Sequence, residues 1–316
     1  MLAAPPPVVS VVIATYNRSQ VLRHAIRSVQ ASSFADWELL VIGDACTDDT
    51  LECVASFADP RIRFVNLSPR CGDQSGPNNH GITLARGRYV AFLQHDDIYL
   101  PDHLATCVEE LNRSGADLVW TPAAVASPNP DVSPGARPCQ FRIAGVPEQS
   151  GYSPFAFYCT STWVFRRELA DRVGPWPRAD EIYMVQSQDW LFRAWRSGAA
   201  LRFVPRVGAI VIPAGYRPGS YQQRHSPDHE WFSRWSAEEP RYRELIFEEL
   251  AVSASKEHLT LAYHEPWGAI RRVVMRPVHY LLSALGLHPR WLMYAVGGKW
   301  RRGATVRTHR RSTGAE

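Results

Sequence analysis

The sequence predicts an α/β fold with a mostly parallel central sheet and flanking helices. Two observations support this prediction. Apolar runs alternate with segments of helical spacing through the first 120 residues, which is typical of parallel strands joined by crossover helices. The runs at residues 8–14 and 89–93 are apolar at nearly every position, as expected of strands that are covered on both faces.

The elements follow from these patterns in chain order. Strands are expected at residues 8–14, 38–42, 61–66, 89–93 and 117–120, and helices at residues 19–29, 48–57, 77–85 and 101–112. Ser19 is a suitable N-cap residue, Gly87 suits a helix C-terminus, and Pro101 suits a first helical turn. Farther along the chain, a strand is expected at 161–166, a helix at 189–197 and another strand at 201–204.

Residues 122–154 interrupt this alternation. The segment contains seven prolines and shows neither a helical nor a strand period. It predicts a long irregular loop, and loops of this length in compact domains are often functional. We expect it to belong to the acceptor side of a binding site.

Length and composition describe an ordinary globular protein. The chain has 316 residues, of which 45% are hydrophobic and 21% are charged, enough for one large domain with an extension. The six cysteines form no C-x-x-C pair, which favours reduced thiols over a zinc site or a disulfide framework. Residues 1–7 lack the features of a secretory signal, and no apolar run approaches the length of a spanning helix. A cytoplasmic protein is therefore expected.

Charge is unevenly distributed along the chain. Residues 266–315 contain ten Lys or Arg and no acidic residue, and the remainder carries 25 basic against 31 acidic side chains. Apolar residues recur at helical steps between Trp267 and Leu285, with Pro277 expected to kink that helix. Such a segment is suited to bind the anionic surface at the inner face of a membrane. The alternative is that its apolar stripe packs on the domain and leaves its arginines in water. Nucleic acid is not expected as a partner, because the rest of the chain is acidic.

Polar side chains follow three of the predicted strands. Thr15 and Tyr16 come after the first strand, Asp44 after the second, and Asp96 and Asp97 after the fourth. Ligands of parallel α/β sheets bind beyond the carboxyl ends of the strands, where these residues meet. Two adjacent carboxylates repel each other unless a cation lies between them, and a divalent metal that also holds a diphosphate is one solution. A solvated turn is the alternative.

Three motifs resemble those of family 2 glycosyltransferases, which have the GT-A fold. They are residues 9–18 (VSVVIATYNR), residues 38–50 (ELLVIGDACTDDT) and the run from Asn79 to Pro101 that contains Asp96 and Asp97. The resemblance is strong over residues 8–120 and weaker over 155–225. It implies a Rossmann-like GT-A domain at 1–228, with a donor half at 8–120 and an acceptor half at 121–228. A helical, basic extension would occupy residues 229–316.

The resemblance also implies roles for individual residues. The donor would be bound by Thr15, Tyr16, Asn17, Arg18, Asp44, Asn79 and Asp96, and a Mn²⁺ or Mg²⁺ ion by Asp96, Asp97 and His225. Asp44 would accept the N3–H of a uracil-type base. Asp189 would be the catalytic base, with Asp180 and Glu181 as fallback candidates. Gln94 stands where many members of the family have a further Asp, so metal binding would depend on Asp96 and Asp97.

The predicted function is that of an inverting, metal-dependent glycosyltransferase with a nucleotide-sugar donor, most simply a UDP-sugar. The acceptor hydroxyl would belong to a lipid-linked glycan or polysaccharide intermediate, and a soluble natural product is the alternative. A nucleotidyltransferase would need a Gly-rich loop with Lys or Arg after the first strand, but the chain has Thr15-Tyr16-Asn17-Arg18 there. A non-catalytic sugar-nucleotide-binding protein is a further alternative, suggested by Gln94.

Overall fold

The computed structural model describes residues 5–315 except 132, 134, 135, 148–150, 155, 224, 264–276, 279 and 290–301. The strands are β1 (Val9–Thr15), β2 (Trp37–Asp44), β3 (Ile62–Leu67), β4 (Tyr89–Phe92), β5 (Asp97–Tyr99), β6 (Leu118–Trp120), β7 (Ala123–Pro128), β8 (Cys139–Ala144), β9 (Trp163–Arg166), β10 (Leu201–Phe203) and β11 (Ala209–Val211). The helices are α1 (Ser19–Gln30), α2 (Thr50–Ala55), α3 (Ser75–Leu84), α4 (His103–Ser114), α5 (Arg167–Val173), α6 (Gln186–Arg196), α7 (Pro227–Glu238), α8 (Tyr242–Tyr263) and α9 (Ala304–Thr313).

Seven strands form the main sheet in the order β10-β6-β9-β4-β1-β2-β3. Every neighbouring pair is parallel except those of β9, which runs antiparallel to both β4 and β6. The predicted α/β fold with a mostly parallel sheet is therefore confirmed. The crossover connections bring the carboxyl ends of β1, β2 and β4 to one edge of the sheet.

The main sheet is buried on both faces, as its apolar runs predict. Val11 and Ile13 of β1 face α1 and α4, whereas Val12 of the same strand faces α3. Helix α3 approaches closely because Gly81 has no side chain: a Cβ there would lie 2.4 Å from Val12 Cγ1. The second face also holds four buried tryptophans, Trp120, Trp163, Trp176 and Trp190.

The prediction of an irregular loop at residues 122–154 is wrong. Strands β7 and β8 lie in this segment and pair antiparallel, in a second sheet of order β5-β11-β7-β8. The period is hidden because β7 is short and rich in small alanines, and because its parallel partner β11 is distant in the chain. Long-range pairing of this kind overrides weak local strand propensity.

Helices α7 and α8 pack on the second sheet. Phe232, Ile246 and Leu250 share a buried cluster with Phe141 of β8, so the expected domain boundary at residue 228 falls inside α7. None of the helices in the described part of the chain is long and apolar enough to cross a lipid bilayer. Most of the stripe expected between Trp267 and Leu285 lies outside the described residues, as do the apolar residues 291–296.

Candidate functional site

A cavity of about 520 Å³ opens at the carboxyl edge of the main sheet. Thr15 lines it at the end of β1 and Tyr16 just after that strand. Asp44 lines it at the end of β2, and Asp96 and Asp97 line it between β4 and the start of β5. The structure therefore brings together these five side chains, which the sequence expected at one edge. The volume lies in the range of small-molecule and cofactor sites.

Asp44 closes one end of the cavity. Its two carboxylate oxygens accept hydrogen bonds from the backbone N–H groups of Cys71 and Gly72, at 2.6 and 2.7 Å. Gly72 has a φ of 82°, which favours glycine. The Arg70 guanidinium lies 3.6 Å from the centre of the Tyr16 ring. The backbone bonds orient the carboxylate, and each oxygen keeps a further lone pair for a ligand.

The turn between β1 and α1 contacts residues around the cavity without lining it. Asn17 and Arg18 both have positive φ, at 53° and 60°. The Asn17 side-chain oxygen accepts the N–H of Thr47 at 2.9 Å, which ties the turn to the loop after β2. Arg18 is buried, with Nη1 3.6 Å from an Asp96 oxygen. Among the described residues, neither Asn17 nor Arg18 lines the cavity, so the geometry gives both a supporting position.

Asp97 is held by two donors. One carboxylate oxygen accepts the hydroxyl of Ser161, and the other accepts the N–H of Ile212 at 3.1 Å. Burial, followed by the negative charge of Asp96, raises the pKa of Asp97 well above its usual range. The Ser161 oxygen also accepts the N–H of Gln94 at 3.0 Å. Ser161 therefore connects both ends of the Gln94–Asp97 turn, a role that nothing in its sequence context indicates.

Asp96 lies in a more cationic environment. Burial acts to raise its pKa, but His95, Arg18 and His229 lower it, and the net pKa is below the usual value. His229 Nε2 lies 2.8 Å from the Asp96 backbone oxygen. The Tyr221 hydroxyl lies 3.3 Å from His95 Nε2. These contacts fix the turn that carries the carboxylate.

The two carboxylates fit a divalent metal that shares its ligands with a diphosphate. Mg²⁺ takes one or two protein carboxylates together with phosphate oxygens and water. Within the described ranges there is no cluster of three or more His, Cys, Asp or Glu that would hold a metal unaided. Gln94 donates its side-chain N–H to Gln74 at 2.8 Å and adds no charge.

Asp189 lies in the first turn of α6. Its carboxylate pairs with Arg193 one turn along, at 2.9 Å, and its side chain is 21% exposed. Gln186 and Ser187, at the start of the same helix, line the cavity, but Asp189 is not among the described lining residues. The base role of Asp189 stays a prediction. Asp180 pairs with Arg178 on the surface at 3.1 Å.

Two other expected site residues lie outside the cavity. The Asn79 side chain accepts the N–H of Trp176 at 2.8 Å and donates to its carbonyl at 3.0 Å, which joins α3 to the loop after α5. The His225 side chain is 73% exposed, with Nδ1 3.0 Å from a Glu230 oxygen. Both arrangements favour structural contacts over ligand binding.

Sequence reasoning missed the contribution of the C-terminal helix. Val306, His309 and Arg310 of α9 line the cavity opposite the β-strand motifs. Burial lowers the pKa of His309, with the Asp96 charge acting in the opposite direction. The run of basic residues is visible in the sequence, but no local pattern connects it to residues some 200 positions earlier.

Sequence comparisons with known proteins match the part of the chain that contains the β-strand motifs. Residues 10–174, more than half of the chain, match the sequence profile of Glycosyl transferase family 2. The chain is 37% identical over 112 residues to the succinoglycan biosynthesis protein ExoO of Rhizobium meliloti, covering 35% of this chain and 32% of that protein. It is 36% identical over 113 residues to a GalNAc(5)-diNAcBac-PP-undecaprenol beta-1,3-glucosyltransferase of Campylobacter jejuni, covering 35% and 36%. The matches thus span about a third of these curated relatives.

Solved structures share the fold at low sequence identity. TarS 1–349 of S. aureus in complex with UDP has a TM-score of 0.53 at 18% identity, covering 65% of this chain and 60% of that one. The mannosyltransferase PcManGT of Pyrobaculum calidifontis, in complex with GDP-Man and Mn²⁺, has a TM-score of 0.52 at 17% identity, covering 99% and 90%. The motif order, the sheet and the profile match agree, and this chain belongs to glycosyl transferase family 2.

Proposed function

We propose that this protein transfers a sugar from a nucleoside diphosphate donor to an acceptor hydroxyl. The single observation that carries the proposal is the cavity in which Asp44, Asp96 and Asp97 meet beside Thr15 and Tyr16. Such a site offers acceptors for a base and ribose and oxygen ligands for a cation beside a diphosphate.

The donor we favour is a UDP-sugar. Asp44 would accept the N3–H of uracil, and the Tyr16 ring would pack beside the base. Structural neighbours bind UDP, UDP-GlcNAc, and GDP-Man with Mn²⁺, which supports a nucleoside diphosphate without deciding the base.

A Mn²⁺ or Mg²⁺ ion would be held by Asp96 and Asp97. When bound, it supplies charge stabilisation for the departing nucleoside diphosphate. Because His225 contacts Glu230 and is mostly exposed, we assign no metal contact to it. Ser161 and the N–H of Ile212 orient the Asp97 carboxylate, and Arg18 lies beside Asp96.

Asp189 is the base that we propose for an inverting transfer. The acceptor hydroxyl attacks the anomeric carbon, its proton passes to the Asp189 carboxylate, and the bond from that carbon to the diphosphate breaks with its electrons leaving on oxygen. A single displacement inverts the anomeric configuration. Asp189 pairs with Arg193 at 2.9 Å, and Gln186 and Ser187 at the start of the same helix line the cavity, which supports this proposal.

For the acceptor we propose a lipid-linked glycan at the inner face of a membrane. Relatives from Campylobacter jejuni and Escherichia coli are named for transfer to undecaprenol-linked sugars. In this chain, Tyr280, Leu281 and Leu285 are 72%, 62% and 67% exposed and lie between basic stretches of the sequence. Exposed apolar side chains in a stretch whose sequence is rich in arginine suit an anionic bilayer surface.

A transfer assay tests the proposal. UDP release from UDP-sugars would be measured with undecaprenyl-diphosphate-linked GlcNAc in vesicles, and the anomeric configuration of the product would be read by NMR. Asp189→Asn should lower turnover by about 10²–10⁴-fold, the contribution of a general base, with UDP affinity unchanged. Asp180→Asn is the matched control, because that carboxylate lies on the surface beside Arg178. Full turnover of Asp189→Asn, or a retained configuration, would contradict the mechanism.

A further inference from the structure

Phe157 places an exposed aromatic residue at the cavity. It lines the cavity and is 43% exposed. The next residue, Tyr158, is instead fully buried, with its ring centre 5.1 Å from that of Trp120. In the part of the chain that the structure describes, Phe157 is the one large hydrophobic lining residue with this much exposed surface. That surface is open to a ligand that enters the cavity.

The backbone that follows Phe157 is fixed to helix α6. The Gln188 side chain accepts the N–H of Tyr158 at 3.2 Å and donates its own N–H to the Tyr158 carbonyl at 2.9 Å. Gln188 is buried, and the next residue of α6 is Asp189, the base that we propose. The two bonds therefore tie the segment that carries Phe157 to the helical turn that carries the base.

The same segment reaches the paired carboxylates at its other end. Cys159 and Thr160 line the cavity, and the Ser161 hydroxyl donates to Asp97. Residues 157–161 thus connect an exposed ring, the first turn of α6 and the proposed metal site. A segment bonded at both ends holds its side chains in fixed positions, as a binding site requires.

The order of strands places Phe157 on the side of the site away from the nucleoside. Strand β4 lies between β9 and β1 in the main sheet. Because β9 runs antiparallel to β4, the residues that lead into β9 lie at the carboxyl edge of β4. Tyr16 and Asp44, which we assign to the base of the nucleotide, follow β1 and end β2 on the opposite side of β4.

This arrangement suits an acceptor sugar. The acceptor hydroxyl must approach the anomeric carbon from the side opposite the departing diphosphate, next to the proposed base on α6. A pyranose ring presents C–H groups on one face, and such groups pack against the electron-rich face of an aromatic ring. A phenyl ring has no hydrogen-bonding atom, so Phe157 offers this apolar contact and leaves the hydroxyl groups to polar neighbours.

We propose that Phe157 is an acceptor-binding residue whose ring packs against the sugar that supplies the attacking hydroxyl. The inference rests on the proposed function and on Asp189 as its base. It names a sugar ring as the part of the acceptor that the cavity recognises, separate from any lipid to which that sugar is linked.

Steady-state UDP release by the full chain tests this assignment, with undecaprenyl-diphosphate-linked GlcNAc in vesicles as the acceptor. Phe157→Ala should raise the KM for the acceptor roughly tenfold, the size of one lost aromatic contact. The kcat should stay near that of the unmodified protein, because a contact made equally in the ground and transition states affects KM alone. Phe157→Leu, which is apolar but has no ring, should lose nearly as much, and Phe157→Trp should retain acceptor binding.

Two controls separate the acceptor from the donor and from general surface effects. Calorimetry in the presence of Mn²⁺ should give the same affinities for UDP and for the UDP-sugar in Phe157→Ala and the unmodified protein. Phe247→Ala is the matched variant, because Phe247 is 38% exposed on α8 and is not among the described lining residues. Its acceptor KM should be unchanged.

Four outcomes would overturn the inference. An unchanged acceptor KM in Phe157→Ala would do so and leave the proposed function intact. Weaker binding of the UDP-sugar, with UDP binding unchanged, would assign the ring to the transferred sugar. A rise in KM that disappears with GlcNAc linked to octyl diphosphate would assign it to the lipid. Failure of the unmodified protein to transfer any sugar would remove the proposed function itself, and the inference with it.

Discussion

Ser161→Ala is the perturbation that best tests how the paired carboxylates are held. The hydroxyl donates to Asp97 and accepts the N–H of Gln94 at 3.0 Å, and the side chain is fully buried. Alanine removes both bonds without adding volume. A buried group that loses its partner costs about 1–3 kcal/mol, so we expect the free energy of unfolding to fall by about 2 kcal/mol.

The same substitution should weaken metal-dependent nucleotide binding. Loss of a group that orients a metal ligand typically lowers metal affinity by about 10–100-fold. Chemical denaturation would give the stability, and calorimetry of UDP with Mn²⁺ would give the affinity.

Thr162→Val is the matched control for Ser161→Ala. The Thr162 hydroxyl donates to the Cys159 carbonyl at 2.7 Å, in the same turn. Its loss should cost about 1 kcal/mol of stability with nucleotide affinity unchanged. Equal nucleotide affinities for Ser161→Ala and the unmodified protein would refute the positioning role of Ser161.

Two further predictions concern buried ionisable groups. Glu38 accepts hydrogen bonds from Ser10 at 2.7 Å and from Arg86 N–H at 2.8 Å, so Glu38→Ala should lower the free energy of unfolding by about 2 kcal/mol. The Arg86 side chain is 55% exposed, so Arg86→Ala should lower the free energy of unfolding by less than about 1 kcal/mol. Equal losses for the two variants in denaturant titrations would contradict this prediction. Burial lowers the pKa of His103 to about 4, with Asp102 acting the other way, so stability is complete above the ordinary His pKa of 6.5 and is lost as the pH falls from there towards 4. Between pH 7.5 and 5 the unmodified protein should lose about 2 kcal/mol more than His103→Gln, and parallel pH profiles of the two would contradict the assignment.

The donor side of this protein is readable from sequence because its signals are local. Val9 to Ile13 is apolar at every position except Ser10, so β1 is expected, and its neighbours along the sheet follow from the same pattern. The carboxyl ends of parallel strands share one edge of the sheet. The meeting of Asp44 and Asp96 at that edge can therefore be predicted without knowing how the side chains pack.

The remaining features depend on contacts between distant residues. Strand β7 is stabilised by β8 and β11, whose pairing no local window shows. The sequence also gives no sign that Ser161 bonds Asp97 or that Arg310 reaches Gly72, because each contact is set by packing across the cavity. Trp163, Trp176 and Trp190 are core residues, as their size and apolar character favour.

The central claim is that Asp44, Asp96 and Asp97 form a metal-dependent nucleotide site. Calorimetric titration of UDP, GDP, dTDP and CMP, each with and without Mn²⁺, tests it most directly in the unmodified protein and in Asp97→Asn. The account predicts that UDP binds tightest and that its binding requires Mn²⁺. It also predicts that Asp97→Asn loses this Mn²⁺-dependent binding. Nucleotide binding that is indifferent to Mn²⁺ and to Asp97→Asn would contradict it.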